Sequence, residues 1–431
     1  MSKLAIPESD IKYRLLLDIS QQISRTIDLQ DVVAGLLGSV RSVVDYDAAG
    51  IFVLHRNVPF SPAAGTNMIA AMATFGFEHI AEGTDPMLRS GKGIVGHVIR
   101  TGDTVVSPDV SRDPRYVEGR VETRSEIAVP IVSNGEVIGA LNLESDQLDA
   151  FSIADAELLE ALAVAAAICI EKAVLHQQVV EKRLMEQQLK IAREVQGSLL
   201  PAGPPVVAGY DIAGLNLPAW DIGGDYFDYF PLEDGRLGLV IADVSGKGVP
   251  AALLMATFRA ALRSEVRRNQ PIPAVIEEVH RTLVESMDTS RFVTAVYGSL
   301  DPRRATFTYT NCGHNPPLLL RAGGELEFLR TGRRAVGMFG SQPTPACVVT
   351  LDPGDTLVLY TDGVVEVTDV SEAEFGTAGL ARVISESAAQ PADGIITALV
   401  DATRAHAGTD HYDDDFTIMI VKCTGIDLST N

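Results

Sequence analysis

The 431-residue sequence predicts an α+β protein of two domains joined by one long helix. Three observations carry this. Short apolar runs cut by Gly, Pro and Asn fill the first part, as short strands do. From Ala154 to about Leu200 there is no Pro, and Gly197 is the only Gly, so a helix can run without a break. Beyond Pro201, apolar strand runs and helical patterns occur together. At ~150 residues per domain the length allows two or three domains, each able to bury a core.

Taken in order, Ile11, Leu15, Ile19 and Ile23 recur every fourth residue and predict an amphipathic helix. Strands follow at Ala48 to Leu54 and Ile127 to Val132. Ser133-Asn134-Gly135-Glu136 predicts a hairpin, because Asn-Gly accepts the positive φ of a tight turn. Ser152 opens the long helix as N-cap, with Asp155 completing a capping-box-like start. The longest apolar run, Ala161 to Ile170, is too short for a bilayer, which needs about 20 residues, and suits a buried helix. Ile170, Val174, Leu184, Ile191 and Val195 form a partial seam, interrupted by Gln177 and Gln188, that predicts a coiled-coil-like homodimer contact. Pro201, Pro204 and Pro205 end the helix. Leu237 to Ala242 reads as a strand and Ala251 to Val266 as a helix with Pro250 in its first turn. Ala295 to Leu300, Thr356 to Tyr360 and Phe416 to Val421 are further strands.

Charge and composition exclude several classes. Lys plus Arg number 35 against 57 Asp plus Glu, a net charge of −22, which argues against nucleic acid or an anionic membrane as partner. With 46% hydrophobic and 21% charged residues the chain is globular rather than disordered. Cys169, Cys312, Cys347 and Cys423 lack metal-ligand spacing and are expected to be reduced thiols. The N-terminus has no apolar core of a signal peptide, so a cytoplasmic protein is expected.

Several acids stand at the ends of apolar strands. Asp243 follows Leu-Val-Ile-Ala, Asp362 follows Leu-Val-Leu-Tyr-Thr, and Asp414 and Asp415 precede Phe-Thr-Ile-Met-Ile-Val. Asp225 lies among glycines in Ile222-Gly-Gly-Asp-Tyr-Phe-Asp228. Singly, each has an ordinary explanation: Asp362-Gly363 is a common turn dipeptide, and Gly223-Gly224 suits a tight loop. If the strands share one end, the carboxylates converge. Two carboxylates about 4 Å apart repel by roughly 4 kcal/mol at an effective dielectric near 20, so such a cluster needs protons or cations. Hard oxygen donors without His or Cys select Mg²⁺ or Mn²⁺. Two such ions suit phosphate ester cleavage, which needs an acceleration of up to about 10²¹ where acid–base chemistry supplies about 10²–10⁴.

Five segments stand in order: Ile222-Gly-Gly-Asp-Tyr-Phe-Asp228, Ala242-Asp-Val-Ser-Gly-Lys-Gly-Val-Pro-Ala-Ala-Leu-Leu-Met255, Gly313-His-Asn-Pro-Pro317, Tyr360-Thr-Asp-Gly-Val364 and Asp414-Asp-Phe-Thr417. Over about residues 195 to 425 the chain closely resembles the SpoIIE/RsbU-like serine phosphatases of the PPM class. The resemblance implies an α/β/β/α sandwich of two antiparallel sheets with two Mn²⁺ or Mg²⁺ ions at one end. It implies that Asp243 bridges both ions, that the Val244 carbonyl ligates one, and that Asp225, Asp362 and Asp414 supply the other carboxylates. Asp243 and Asp362 are the expected catalytic residues. Asp414 is preferred to Asp415 as the first acid of the DDxT motif, and Asp228 is expected to order its loop. Family substrates are phosphoserine or phosphothreonine in STAS-type anti-sigma-factor antagonists. His314 reads as a loop-ordering residue. Lys247 lacks the GxxxxGK[ST] frame of a P-loop, and Tyr226 departs from the GGDEF motif.

Residues 11–172 resemble a GAF domain through Gly91-Lys-Gly-Ile-Val-Gly-His-Val-Ile-Arg-Thr-Gly102, Pro108-Asp-Val, Asp113-Pro-Arg-Tyr116, Ile127-Ala-Val-Pro-Ile131 and Gly139-Ala-Leu-Asn-Leu-Glu-Ser145. The resemblance implies an antiparallel sheet with helices on its faces, serving as a sensory or dimerising module. Asn142, Phe151 and Asp155 echo the NKFDE pattern of cyclic-nucleotide GAF domains, but Leu143 and Ala156 replace its Lys and final Glu. Cys169 lies in the exit helix, away from where a bilin would attach, and His97 is a lone candidate for haem. The ligand is left open. The expected layout is a tail at 1–10, the GAF domain at 11–172, a helical linker at 173–200, the phosphatase domain at 201–425 and a tail at 426–431. The expected function is a GAF-regulated, metal-dependent protein serine/threonine phosphatase. The alternative is a catalytically silent GAF-dimer scaffold that binds partners through a degenerate phosphatase fold.

Overall fold

The Asn-Gly turn forms as its chemistry demands, with φ of 51° at Asn134 and 81° at Gly135. It closes one hairpin of a computed structural model that describes residues 43–54, 69–77, 91–286, 291–338 and 344–425, with 35, 37, 38, 40 and 41. The helix expected from Ile11 to Ile23 lies outside the described residues. The chain divides into two compact units, Met1–Met185 and Glu186–Asn431.

In the first unit β1 (Ala48–Leu54), β2 (Ile69–Phe75), α1 (Gly93–Thr101), β3 (Val105–Ser107), β4 (Ser125–Ser133) and β5 (Glu136–Ser145) precede α2 (Ile153–Gly197). The strands form one antiparallel sheet in the order β2-β1-β5-β4-β3. Period-two alternation gives the sheet two different faces. Ile51, Val53, Ile127, Val129, Leu141 and Leu143 face the first turns of α2, where Leu158, Leu159, Leu162 and Ala166 are buried. Phe52, Ala128 and Ala140 face Ile94, Val95 and Val98 of α1. This is the sheet with flanking helices that the sequence predicts.

The start of α2 is a capping box. Ser152 N donates to Asp155 Oδ2 at 2.8 Å, and Asp155 N donates to Ser152 Oγ at 3.3 Å. The helix runs 45 residues to Gly197, with Ser198 to Leu200 in turns before Pro201. The apolar run Ala161 to Ile170 departs from expectation, being buried on one face only. Ala163, Ala166, Ala167, Cys169 and Ile170 are buried, but Val164 and Ile168 are 60% and 54% exposed. A helix lying on one sheet hides only the stripe that touches it. Among the described residues no helix is long and apolar enough to cross a membrane. All four cysteines are free thiols.

The second unit contains β6 (Tyr210–Leu217), β7 (Tyr226–Pro231), β8 (Leu237–Val244), α3 (Val249–Val266), α4 (Ile272–Ser286), β9 (Val293–Asp301) and β10 (Thr306–Cys312). It continues with β11 (Leu318–Leu320), β12 (Leu326–Phe328), β13 (Gly332–Arg333), β14 (Cys347–Thr350), β15 (Thr356–Tyr360), α5 (Asp362–Val365), α6 (Gly376–Glu386), α7 (Ala392–Ala407) and β16 (Phe416–Cys423). One sheet runs β13-β10-β9-β8-β7, with β14 also on β10; the other runs β12-β11-β15-β16-β6. Pairing is antiparallel except for the two-residue match of β10 with β13. Leu239 and Ile241 of β8 meet Leu357, Leu359, Met419 and Val421 between the sheets. Val240, Ala242 and Val244 turn outward to α3 and α4. Val358, Ile418 and Ile420 turn outward to α6 and α7. The layers are therefore α/β/β/α.

Candidate metal centre

The strand registers dictate where the acids fall. Tyr226 pairs with Ala242, which sets Asp225 beside Asp243 on the first sheet. Tyr360 pairs with Ile418, which sets Asp362 beside Asp414 and Asp415 on the second. The two pairs meet across the sandwich. Thr361 Oγ1 and Thr417 Oγ1 donate to Asp225 Oδ2 at 2.8 and 2.5 Å. The acids thus come from two sheets rather than from one.

Close backbone contacts explain the glycines. A Cβ on Gly363 would lie 2.2 Å from the Asp415 carbonyl oxygen, and one on Gly223 would lie 2.3 Å from Asp415 Oδ2. Asp362-Gly363 is therefore more than a turn dipeptide: it opens α5 and lets that helix lie on the Asp415 backbone. A Cβ on Gly224 would lie 3.0 Å from the Val244 carbonyl oxygen, so Val244 also borders the loop that carries Asp225.

Asp414 and Asp415 are used differently. Asp415 is buried and accepts from Ala219 N at 2.9 Å and Gly224 N at 2.6 Å, which ties down the loop leading to Asp225. Asp414 is half-exposed; its Oδ1 accepts from Asp415 N at 2.9 Å and its Oδ2 faces Lys247 Nζ at 3.1 Å. Lys247 also donates to the Asp413 carbonyl at 3.0 Å.

The electrostatics are those of uncompensated negative charge. Burial, then the charge of Asp243, raises the Asp225 carboxyl well above the usual range. Burial, then Asp362, Asp414 and Asp415, pushes Asp243 up to about 7. Asp362 is raised by burial and then by Asp414. Among the described residues no three Asp, Glu, His or Cys side chains close around one point. Asp225 is turned toward its two threonines and Asp414 toward Lys247. The donor set of carboxylates plus the Val244 carbonyl is nonetheless all hard oxygen, and its surplus charge fits Mg²⁺ or Mn²⁺. Beside it lies a cavity of about 160 Å³ lined by Lys247, Gly363, Glu366, His411, Asp413 and Asp414 among others.

Neighbouring residues have supporting parts. Asp228 accepts from Arg263 Nε at 2.7 Å and Nη2 at 2.9 Å and from the Tyr226 hydroxyl, so it orders β7. His314 is buried, and burial lowers its pKa to about 4, so it is neutral. Its Nδ1 meets Thr294 Oγ1 at 2.8 Å and its main chain exchanges two bonds with the Asn311 amide, which orders the loop. At the end of α2, Gln196 Nε2 donates to the Gly223 carbonyl at 2.6 Å, and Gly223 N donates back to Gln196 Oε1 at 3.2 Å. Sequence reasoning missed Gln196, Thr361, Thr417 and the anchoring part of Asp415. Thr361 and Thr417 stand inside the quoted motifs, which was the available signal.

Residues 233–424 match the family described as stage II sporulation protein E, and residues 26–171 match the GAF domain family. Protein IcfG of Synechocystis sp. is 28% identical over 225 residues, 46% of this chain and 36% of that protein. Phosphoserine phosphatase RsbU of Bacillus subtilis is 26% identical over 239 residues, 55% of this chain and 70% of that protein. Among solved structures, the SiaA-PP2C domain of Pseudomonas aeruginosa is 24% identical at a TM-score of 0.50, covering 56% of this chain and 98% of that one, a likeness of fold. By these matches, residues 26–171 are similar to the GAF domain family and residues 233–424 to the SpoIIE family, and the layered sandwich of the second unit has the fold of a PP2C domain.

Proposed function

We propose that the chain is a divalent-cation-dependent phosphatase that hydrolyses phosphoserine or phosphothreonine on a signalling protein, under the control of its GAF domain. One observation carries the reading: Asp225, Asp243, Asp362 and Asp414 border one end of the sandwich, and burial, then like charge, raises the pKa of the first three. The family resemblance makes a STAS-type anti-sigma-factor antagonist the substrate class. The free cysteines accord with a cytoplasmic setting.

Two Mn²⁺ or Mg²⁺ ions, held by Asp225, Asp243, the Val244 carbonyl, Asp362 and Asp414, would neutralise this charge and activate water toward phosphorus. The chain's own groups do the rest. Thr361 and Thr417 aim the Asp225 carboxylate, and Asp415 holds its loop. Lys247 offers a cation at the rim of the cavity, where a phosphoryl oxygen can replace the Asp414 carboxylate as its partner. Asp243 and Asp362 carry the catalytic roles.

Turnover of an aryl phosphate with Mn²⁺ should vanish on adding EDTA. Asp243→Ala should abolish turnover while leaving the circular dichroism spectrum unchanged. Activity indifferent to chelation, or retained by the folded variant, would sink the reading. Of the expected seam, Ile170 and Val174 pack against the core of the first unit, whereas Leu184, Ile191 and Val195 are 54–59% exposed, which supports a homodimer formed through the later turns of α2.

A further inference from the structure

The chain leaves β8 on a short tether. Ser245 is pinned beside β9, its N donating to the Phe292 carbonyl at 3.0 Å and its Oγ accepting from Phe292 N at 2.9 Å. Gly246, Lys247 and Gly248 then cross to α3, with φ of 99° at Gly246 and 73° at Gly248. Glycine enters that region without strain, so the tether presents Lys247 between two residues that lack side chains. A Cβ at either glycine would meet nothing within 4 Å, so open space flanks the lysine.

Lys247 reaches from the first sheet to the second. Its Nζ lies 3.1 Å from Asp414 Oδ2 and donates to the Asp413 carbonyl at 3.0 Å. The other Asp414 oxygen, Oδ1, accepts from Asp415 N at 2.9 Å. Both oxygens of one expected metal ligand are therefore engaged, one by main chain and one by an ammonium. Mg²⁺ draws a ligand oxygen to about 2.0–2.1 Å. Two positive charges on one carboxylate oxygen repel, so Lys247 and a cation using Oδ2 compete.

The pair is built to exchange. Its side chains are 53% and 47% exposed, and ion pairs so placed hold weakly. The cavity of about 160 Å³ beside it is lined by Glu366, Asp413 and Asp414, and Lys247 is its only Lys or Arg among the described residues. A phosphoryl dianion entering there meets three carboxylates and one ammonium. Charge-assisted bonds to phosphate oxygens are short and strong, so Lys247 turns to the phosphoryl group and releases Asp414 Oδ2.

We propose that Lys247 is an exchangeable cation of the metal centre. Its ammonium holds Asp414 Oδ2 until a phosphoryl oxygen takes it, which couples binding of the phosphate ester to binding of the divalent ion at Asp414. Linkage makes the coupling mutual, each ligand tightening the other by the same factor. Lys247 is thus a positioning residue that holds cation affinity down until the ester arrives. This rests on the phosphatase reading above and names how the substrate of that site controls its metal.

The test is calorimetric titration of the full chain with Mn²⁺, in sodium sulfate as phosphoryl mimic and in sodium chloride of equal ionic strength. In chloride, Lys247→Met should bind Mn²⁺ about threefold to fivefold more tightly than the parent, the scale of a half-exposed ion pair. A lysine with a purely structural part would loosen the site when removed. Sulfate should tighten Mn²⁺ binding to the parent by about the same factor and leave Lys247→Met unchanged. Lys247→Gln should follow Lys247→Met and serves if that variant does not fold. The proposal alone is overturned if the variants bind Mn²⁺ no tighter than the parent in chloride, or if sulfate acts on them as on the parent. A parent that takes up no Mn²⁺ overturns the phosphatase reading and this proposal together.

Discussion

An acid in a cluster of acids can be scaffold as well as ligand, and Asp415 is the case in point. Both its oxygens are occupied by backbone N–H groups of the loop that delivers Asp225. Asp415→Ala should destabilise the protein by about 3 kcal/mol in urea unfolding, since each bond to a charged acceptor contributes about 1.5–3 kcal/mol. An unchanged midpoint would show that the loop holds itself. The raised carboxyls give a pH prediction of fixed sign. Asp243 titrates near 3.8 when unfolded and near 7 when folded, so the folded state binds the proton more tightly. Its stabilising share is present at low pH and lost as pH rises through 7. Cation-free protein should therefore melt several degrees higher at pH 5.5 than at pH 8, and Mn²⁺ should reverse the order; the reverse trend without cations would disprove the charge surplus. Asp243, Asp362 and Asp414 drew notice in the sequence because each abuts an apolar strand run, and Asp225 because it stands among glycines. Thr361 and Thr417 were not, because a hydroxyl that aims a carboxylate looks like any strand threonine until two sheets are stacked.

Elements with strong local signals were read almost to the residue. Ala48 to Leu54 and Thr356 to Tyr360 are strands with the expected bounds, and the Ser152 cap opens α2. Pieces such as β11, β12 and β13, two or three residues each, are too short to show a period of two and exist because neighbouring strands recruit them. α2 also reaches further into function than its solvated composition suggests, since its Gln196 amide clamps Gly223 from both sides. Gln196→Ala should cost about 1–2 kcal/mol and lower turnover, the worth of two neutral hydrogen bonds. Turnover and melting equal to the parent would make that clamp incidental. Leu184→Lys combined with Ile191→Lys should convert a dimer to a monomer in light scattering while leaving the melting temperature alone. A dimer that survives both changes must associate through other residues.

For the whole molecule, the net charge of −22 first reads as a solvated surface, and most of it is. A small share sits inside: a carboxylate group in the second unit that divalent cations would discharge, and the buried pair Glu126 and Glu144 in the first. The division into two compact units falls within the helix without proline, and the α/β/β/α layering was expected from the family resemblance alone, because nothing local says that strands far apart in sequence will face each other. That separation has a consequence for synthesis. The bond from Thr417 to Asp225 spans 192 residues, and Asp414 and Asp415 stand just before the final strand of the sandwich. A ribosome releasing this chain from its N-terminus frees the GAF sheet to fold long before β16 emerges. No partly made chain can assemble the acid cluster. Tight binding of a divalent cation at these acids would therefore mark a finished sandwich, and the proposed turnover would stay silent until β16 is in place.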